Sequence, residues 1–259
     1  MKEITSRDNM AIKQAIRLKQ KKYRQKEGRY LIEGHKMLRE ALIGPSVLEQ
    51  VFLTRASLES DQLLAEAIYG ADCYLVDERL LGLICDTQTP QGVAALVRIP
   101  EYDISSLLKP NAMLLLLDQI QDPGNMGTIM RTAWGFSVEG VLLTPNCVDP
   151  FCPKAVRATM GAIFHVPVKE DVSLETLQEF KENGFQIVGS TPAADETLFD
   201  QDLTGARIIV VGNESRGIGP DILQLCDHQF KIPLNPRVDS LNAAMACAII
   251  AVEALRQRS

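Results

Sequence analysis

The sequence contains no C-x-x-C pair, and none of its six cysteines stands at ligand spacing from one of its three histidines, His35, His165 and His228. It therefore offers no zinc site, no other metal site and no histidine placed as a general base. Cys73, Cys85, Cys147, Cys152, Cys226 and Cys247 are expected as buried free thiols in a reducing compartment. Long apolar runs are missing too. Met113–Leu117 is far too short for a bilayer, which takes about 20 residues. Residues 1–10 are charged where a secretory signal would be apolar, so a cytoplasmic protein with no membrane partner is expected. Also lacking are the G-x-G-x-x-G fingerprint of dinucleotide folds and the G-K-S/T of a phosphate loop. Neither a pyrophosphate nor a triphosphate has its usual cradle here.

What is present is enough apolar side chain, 46% of 259 residues, for ordinary packed cores and more than one domain. The net charge of −6 hides an asymmetry. Residues 1–39 carry twelve Lys and Arg against four acids, and Lys19, Lys21, Lys22 and Arg24 form the densest cluster. A basic end on an acidic chain is the pattern of a polyanion-binding arm, because cations at phosphates release counterions. A solvated helix face accounts for the same charges.

Hydrophobic periodicity divides the chain in two. Ile12, Ala15, Ile16 and Lys19 carry a helical period running toward Gly28, residues 30–32 read as extended, and Met37, Leu38, Ala41 and Leu42 share one helix face ending at Gly44. Strands are predicted over 47–53, 73–76 and 93–99, with helices near 58–68 and 79–84. Residues 1–103 are thus expected as a small α/β domain, and the polar, Pro-containing stretch 100–111 as a linker. From Met113 a second series begins. Strands over 113–117, 138–143, 185–189 and 207–211 alternate with helices near 128–134, 154–162, 174–183 and 221–226. That alternation predicts a mostly parallel sheet over 112–259, with ligands bound beyond the carboxyl ends of its strands.

Three segments of this second domain hold the polar residues that chemistry needs. Asp118-Gln-Ile-Gln-Asp-Pro-Gly-Asn-Met-Gly127 reads as a loop between strand and helix, with Asn125 six residues before Arg131 and able to fold its amide toward that guanidinium; taken alone, it is also an ordinary turn. Gly212, Gly217 and Gly219 surround Glu214 and Arg216 in a loop after an apolar strand, where bare glycine lets backbone approach an adenosine closely. In the third, prolines hold the segment around Ile232 extended, and Ser240 is a plausible cap for the Ala-rich helix that follows Leu241-Asn242; a buried, ordinarily capped helix is the alternative.

In order, spacing and position these segments resemble the three motifs of the SpoU/TrmH family of RNA ribose 2′-O-methyltransferases: Asn125 with Arg131, Gly212-Asn-Glu214, and Ile232-Pro233 running into Ser240-Leu241-Asn242. The chain departs from the pattern at Pro236 and at Ala243-Ala244, which bear on the shape of a cofactor loop and leave every polar motif residue in place. The N-terminal part looks like this family's ribosomal-protein-like substrate-binding domain, through its basic first helix and Tyr30-Leu-Ile-Glu-Gly34. The resemblance implies a C-terminal α/β domain with a deep trefoil knot, S-adenosylmethionine (AdoMet) held at Gly212, Ile232 and Leu241, and a homodimer. It also implies catalytic roles for Asn125, Arg131, Glu214, Ser240 and Asn242, and RNA as substrate, bound through Lys19, Lys21, Lys22 and Arg24. Large-subunit rRNA is the favoured target, with tRNA, or a non-catalytic assembly factor of the same fold, as the alternatives.

Overall fold

A computed structural model describes residues 1–60, 70–238 and 240–259; most of the helix predicted near 58–68 lies outside them. The described chain forms two compact units. The first comprises Met1–Glu101 together with Asp149–His165, and the second Tyr102–Val148 with Val166–Ser259.

The first unit is built on a five-stranded sheet of β1 (Lys2–Glu3), β2 (Arg29–Glu33), β3 (Leu48–Leu53), β4 (Asp72–Leu75) and β5 (Val93–Arg98), in the order β1-β4-β3-β5-β2. β5 runs antiparallel to both of its neighbours. Leu31, Phe52 and Leu96 of the sheet share a core with Ile12, Leu80 and Leu81 of the helices and with Leu18. The helical period running toward Gly28 is two helices, Met10–Arg17 and Lys21–Glu27. In the second of them Arg24 turns inward: its Nη1 donates to the Leu18 carbonyl at 2.7 Å and its Nε to Asp149 Oδ2 at 2.8 Å. Asp149 belongs to a segment that sequence order assigns to the second domain. With it come Phe151 and Phe164, whose rings lie 5.0 and 6.5 Å from that of Tyr30.

The second unit is a six-stranded, wholly parallel sheet of β6 (Met113–Leu117), β7 (Gly140–Leu143), β8 (Val168–Lys169), β9 (Gln186–Ser190), β10 (Arg207–Val211) and β11 (His228–Phe230). Their order is β11-β9-β10-β6-β7-β8. Leu114 and Leu116 of β6 and Ile208 and Val210 of β10 share a core with Leu177 and Phe180 of the helix Leu174–Glu182. The residues between them, Leu115, Leu117 and Ile209, are fully buried as well. Burial on both faces is what a parallel sheet flanked by crossover helices requires, and it explains why these strands read as unbroken apolar runs. The six cysteines are free, as expected, but only Cys85 and Cys247 are buried and the other four are half-buried. Burial pushes the Cys85 and Cys247 thiols up to about 12 and Cys226 to about 11, so they stay protonated.

Candidate active site

In a parallel sheet every strand ends on the same side. Val211 at the end of β10 is in register with Leu117 of β6 and with Ser190 of β9, so the chain leaves these three strands side by side, at Asp118, Gly212 and Thr191. The middle strand leads into a tight loop. Asn213 and Gly217 exchange both backbone hydrogen bonds, at 3.0 and 2.9 Å, and Asn213 Oδ1 accepts from the amides of Ser215 and Arg216. Gly217 turns the loop with φ of +71°, a conformation that favours glycine. Asp118, 3% exposed, anchors the loop from β6: its Oδ2 accepts from the Gly219 amide at 2.7 Å and its Oδ1 from the Thr144 hydroxyl at 2.8 Å.

The helix expected near 128–134 starts earlier, at Pro123. Asp122 caps it by accepting from Asn125 N–H at 2.8 Å, and proline stands in the first turn, where its missing N–H costs nothing. Asn125 therefore lies in that first turn rather than in a loop, and it does not fold toward Arg131. Six residues along a helix is a rotation of about 240° and a rise of about 9 Å, which directs the two side chains to different faces.

Asn125 turns to the other two motifs. Its Nδ2 donates to Glu214 Oε1 at 2.6 Å, and its Oδ1 accepts from Asn242 Nδ2 at 2.9 Å. Asn242 Oδ1 in turn accepts from the amides of Ala244 and Met245, so Asn242, not Ser240, caps the helix Ala243–Arg258. The direction of this relay follows from its ends: an ionised carboxylate only accepts and a helix N-terminus only donates, so each amide can be oriented one way. Three segments distant in sequence are thereby joined through Glu214, Asn125 and Asn242.

Beside the relay lies a cavity of about 510 Å³, lined by Ser190–Ala193, by residues 211–218, and by Leu223, Ile232, Leu234, Ser240, Leu241, Ala243 and Ala246. Gly212, Glu214, Ile232, Ser240 and Leu241 of the sequence-derived set line it, and Asn125 and Asn242 border it through Glu214. The backbone polar groups of Gly212, Ile232 and Leu241 make no hydrogen bond among the described residues. Unspent backbone donors and acceptors around an apolar hollow suit a flat heterocycle read at its edge. Residues 190–193 escaped the sequence reading because Ser-Thr-Pro after a strand is ordinary turn chemistry; the available signal was that their strand borders the glycine loop's strand.

Arg131 is brought to none of these groups. It is exposed, one helical turn from Trp134, and its side chain makes no ion pair or hydrogen bond among the described residues. The basic cluster divides as well. Lys21 and Lys22 are exposed, and Lys22 lies over the Tyr23 ring, 4.8 Å from its centroid. Lys19 is half-buried and donates to the Cys85 carbonyl at 2.6 Å, whereas Arg24 is buried in its ion pair. Arg24 is corrected from an RNA contact to a core residue, since its guanidinium is already spent.

Residues 112–252 match the SpoU rRNA Methylase family and residues 9–95 the MRM3-like substrate binding domain. The chain is 36% identical to an uncharacterised tRNA/rRNA methyltransferase of Synechocystis sp., over 98% of this chain and 94% of the relative. It is 30% identical to the 23S rRNA (guanosine(2553)-2′-O)-methyltransferase RlmP of Bacillus subtilis, over 96% and 98%. Among solved structures it resembles the AdoMet-bound rRNA methyltransferase from Sinorhizobium meliloti, with a TM-score of 0.89 and 27% identity over 98% of this chain and 97% of that one.

Proposed function

This chain belongs to the SpoU rRNA Methylase family and is an RNA methyltransferase, and from that premise we propose that it methylates a ribose 2′-hydroxyl of large-subunit rRNA in the cytoplasm. The observation that carries the reading is the Glu214–Asn125–Asn242 relay, which joins all three motif segments at the mouth of one cavity. The relative named for 2′-O-methylation of 23S rRNA matches over nearly its whole length and supports the same target.

The cavity fits AdoMet. Its volume is that of a cofactor pocket, Leu223, Ile232, Leu234 and Ala246 can enclose an adenine, and Glu214 and Ser240 stand at its polar side. When bound, AdoMet supplies a methyl group on a sulfonium that is already a strong electrophile, so the residues here need to position more than to activate. Gly212, Ile232 and Leu241 hold the cofactor through backbone groups. Asn125, locked between Glu214 and Asn242, fixes the spacing of the three loops. Arg131 grips the phosphate next to the target ribose and orients its hydroxyl. A guanidinium keeps its proton below a pH of about 12, so that phosphate or a water receives the hydroxyl proton.

Arg131 reaches the site in a homodimer. The helix Ala243–Arg258 is apolar nearly all round, and Met245, Ile249, Val252 and Leu255 leave an exposed stripe on it. Trp134, 43% exposed, stands on the helix that packs against it. Helices apolar on every side are covered on every side, and this stripe is covered by a second copy. The trefoil knot belongs to the same reading.

The test is transfer of radiolabel from AdoMet to RNA from a strain lacking this protein, with mapping of 2′-O-methyl positions. One new rRNA position, lost with Arg131→Ala and lowered at least tenfold in kcat with Arg131→Lys, is expected; near-normal turnover of the Lys variant would remove the bidentate phosphate grip. Asp118→Asn should weaken AdoMet binding about tenfold, because with Oδ1 kept on the Gly219 amide the new Nδ2 faces the Thr144 hydroxyl, whose own proton loses its acceptor; isothermal titration reads this directly. The basic arm is expected to act through Lys21 and Lys22. Replacing both by alanine should lower the slope of log affinity against log salt by up to about 2.

A further inference from the structure

The first unit contains a second cavity, of about 440 Å³, whose lining includes His35, Thr54, Ser57, Glu78, Gln91 and Gly92. Six of its ten lining residues carry polar side chains, and two of these are deeply buried. Thr54 is 3% and Ser57 4% exposed. Ser57 Oγ lies 3.1 Å from His35 Nε2. The Thr54 oxygen accepts from the Ser57 amide at 3.2 Å, and its O–H donates to nothing among the described residues. A hydroxyl proton left unspent at such burial is costly unless something occupies the cavity. Gln91 likewise offers a donor and an acceptor with no partner among the described residues, and Glu78 offers acceptors.

The backbone is shaped to admit these groups. A Cβ on Gly34 (φ +89°) would stand 2.5 Å from Gln91 Oε1, and one on Gly92 (φ +80°) 2.9 Å from Ser57 Cβ. Exposed Lys36 and Arg55 follow the lining residues His35 and Thr54 in the chain and have no ion pair among the described residues. We propose that this cavity receives one unpaired nucleotide of the substrate RNA, its base edge hydrogen-bonded by Thr54 and Gln91 and its phosphate drawn by Lys36 and Arg55. No Phe, Tyr or Trp is among the residues lining the cavity, and the His35 ring is engaged by Ser57, so the base lies against Leu81 and Pro90 and is read by its edge. The inference rests on the proposed action on RNA and names where that RNA is gripped apart from the reacting ribose.

The experiment uses the full chain and labelled rRNA fragments, with affinity measured by fluorescence anisotropy across a salt series and AdoMet affinity measured alongside. Gln91→Ala, at an exposed position, should weaken RNA binding at least tenfold, leave the salt slope unchanged because no charge is lost, and leave AdoMet affinity and the unfolding temperature unchanged. Thr54→Val should do the same to RNA binding, and Thr54→Ser, which keeps the hydroxyl, should restore it. Wild-type RNA affinity in both Gln91→Ala and Thr54→Val would overturn the proposal, whether or not the enzyme methylates RNA. If Gln91→Ala weakens binding as stated while the wild-type chain transfers no methyl group to any RNA, the nucleotide site stands and the catalytic reading falls.

Discussion

Asp149→Ala is expected to destabilise the first unit by about 3–5 kcal/mol, the range for removing one partner of a buried ion pair. Arg24 is 3% exposed and cannot lose its charge, and the Leu18 carbonyl alone cannot satisfy it once the carboxylate has gone. Asp149 serves twice, because its Oδ1 also accepts from Phe151 N–H and so sets the turn that brings the Phe151 ring against Tyr30. Two further variants separate charge from shape. Asp149→Asn keeps the turn and should cost less, and Arg24→Met paired with Asp149→Leu should recover much of the loss, since well-packed apolar pairs often replace buried ion pairs without penalty. Urea unfolding followed by circular dichroism reads all three. Equal stability of Asp149→Ala and wild type would mean that solvent reaches Arg24. A fragment of residues 1–103 should unfold more readily than the same residues in the full chain, for it lacks Asp149, Phe151 and Phe164.

That dependence shows where sequence reading stops. The strands of the second unit were legible because a strand buried on both faces reads as a run such as Met113–Leu117, and alternation with helices then dictates a parallel sheet. The polar constellation was legible as three motifs, yet its wiring was not. Ser240 and Asn242 are both good caps two residues apart, and only the start of the helix at Ala243 decides between them. Asn125 and Arg131 read as partners if the helix begins near 128; because it begins at Pro123 their faces diverge. Arg24 carries the same charge as Lys21 and Lys22, and nothing local marks it as buried, because its partner lies 125 residues away. The docking of 149–165 on the first unit is invisible for the same reason: periodicity reports which face of a helix is apolar, not which sheet covers it.

Gly212→Ala should weaken AdoMet binding at least a hundredfold, about 2.7 kcal/mol, while the sheet survives. The cause is room rather than backbone freedom, since φ at Gly212 is not positive. A Cβ there would stand 2.2 Å from the Gly217 carbonyl carbon and 2.4 Å from both its oxygen and Ile218 N. These are backbone atoms held by the Asn213–Gly217 pair and by Asp118 on Gly219, so no rotamer change relieves the overlap and the loop must open. Opening carries Glu214 away from Asn125 and breaks the relay, so methyl transfer should fall further than cofactor affinity alone predicts. Gly217→Ala is the control. Its Cβ meets nothing within 4 Å, and its cost is only that of a left-handed residue, about 1–2 kcal/mol. The ranking of the two alanines, read by titration calorimetry with AdoMet and by thermal unfolding, tests whether close approach within this loop is what shapes the cofactor cavity. If Gly217→Ala proved the more damaging, the turn at 217 rather than the contact at 212 would be what holds the loop.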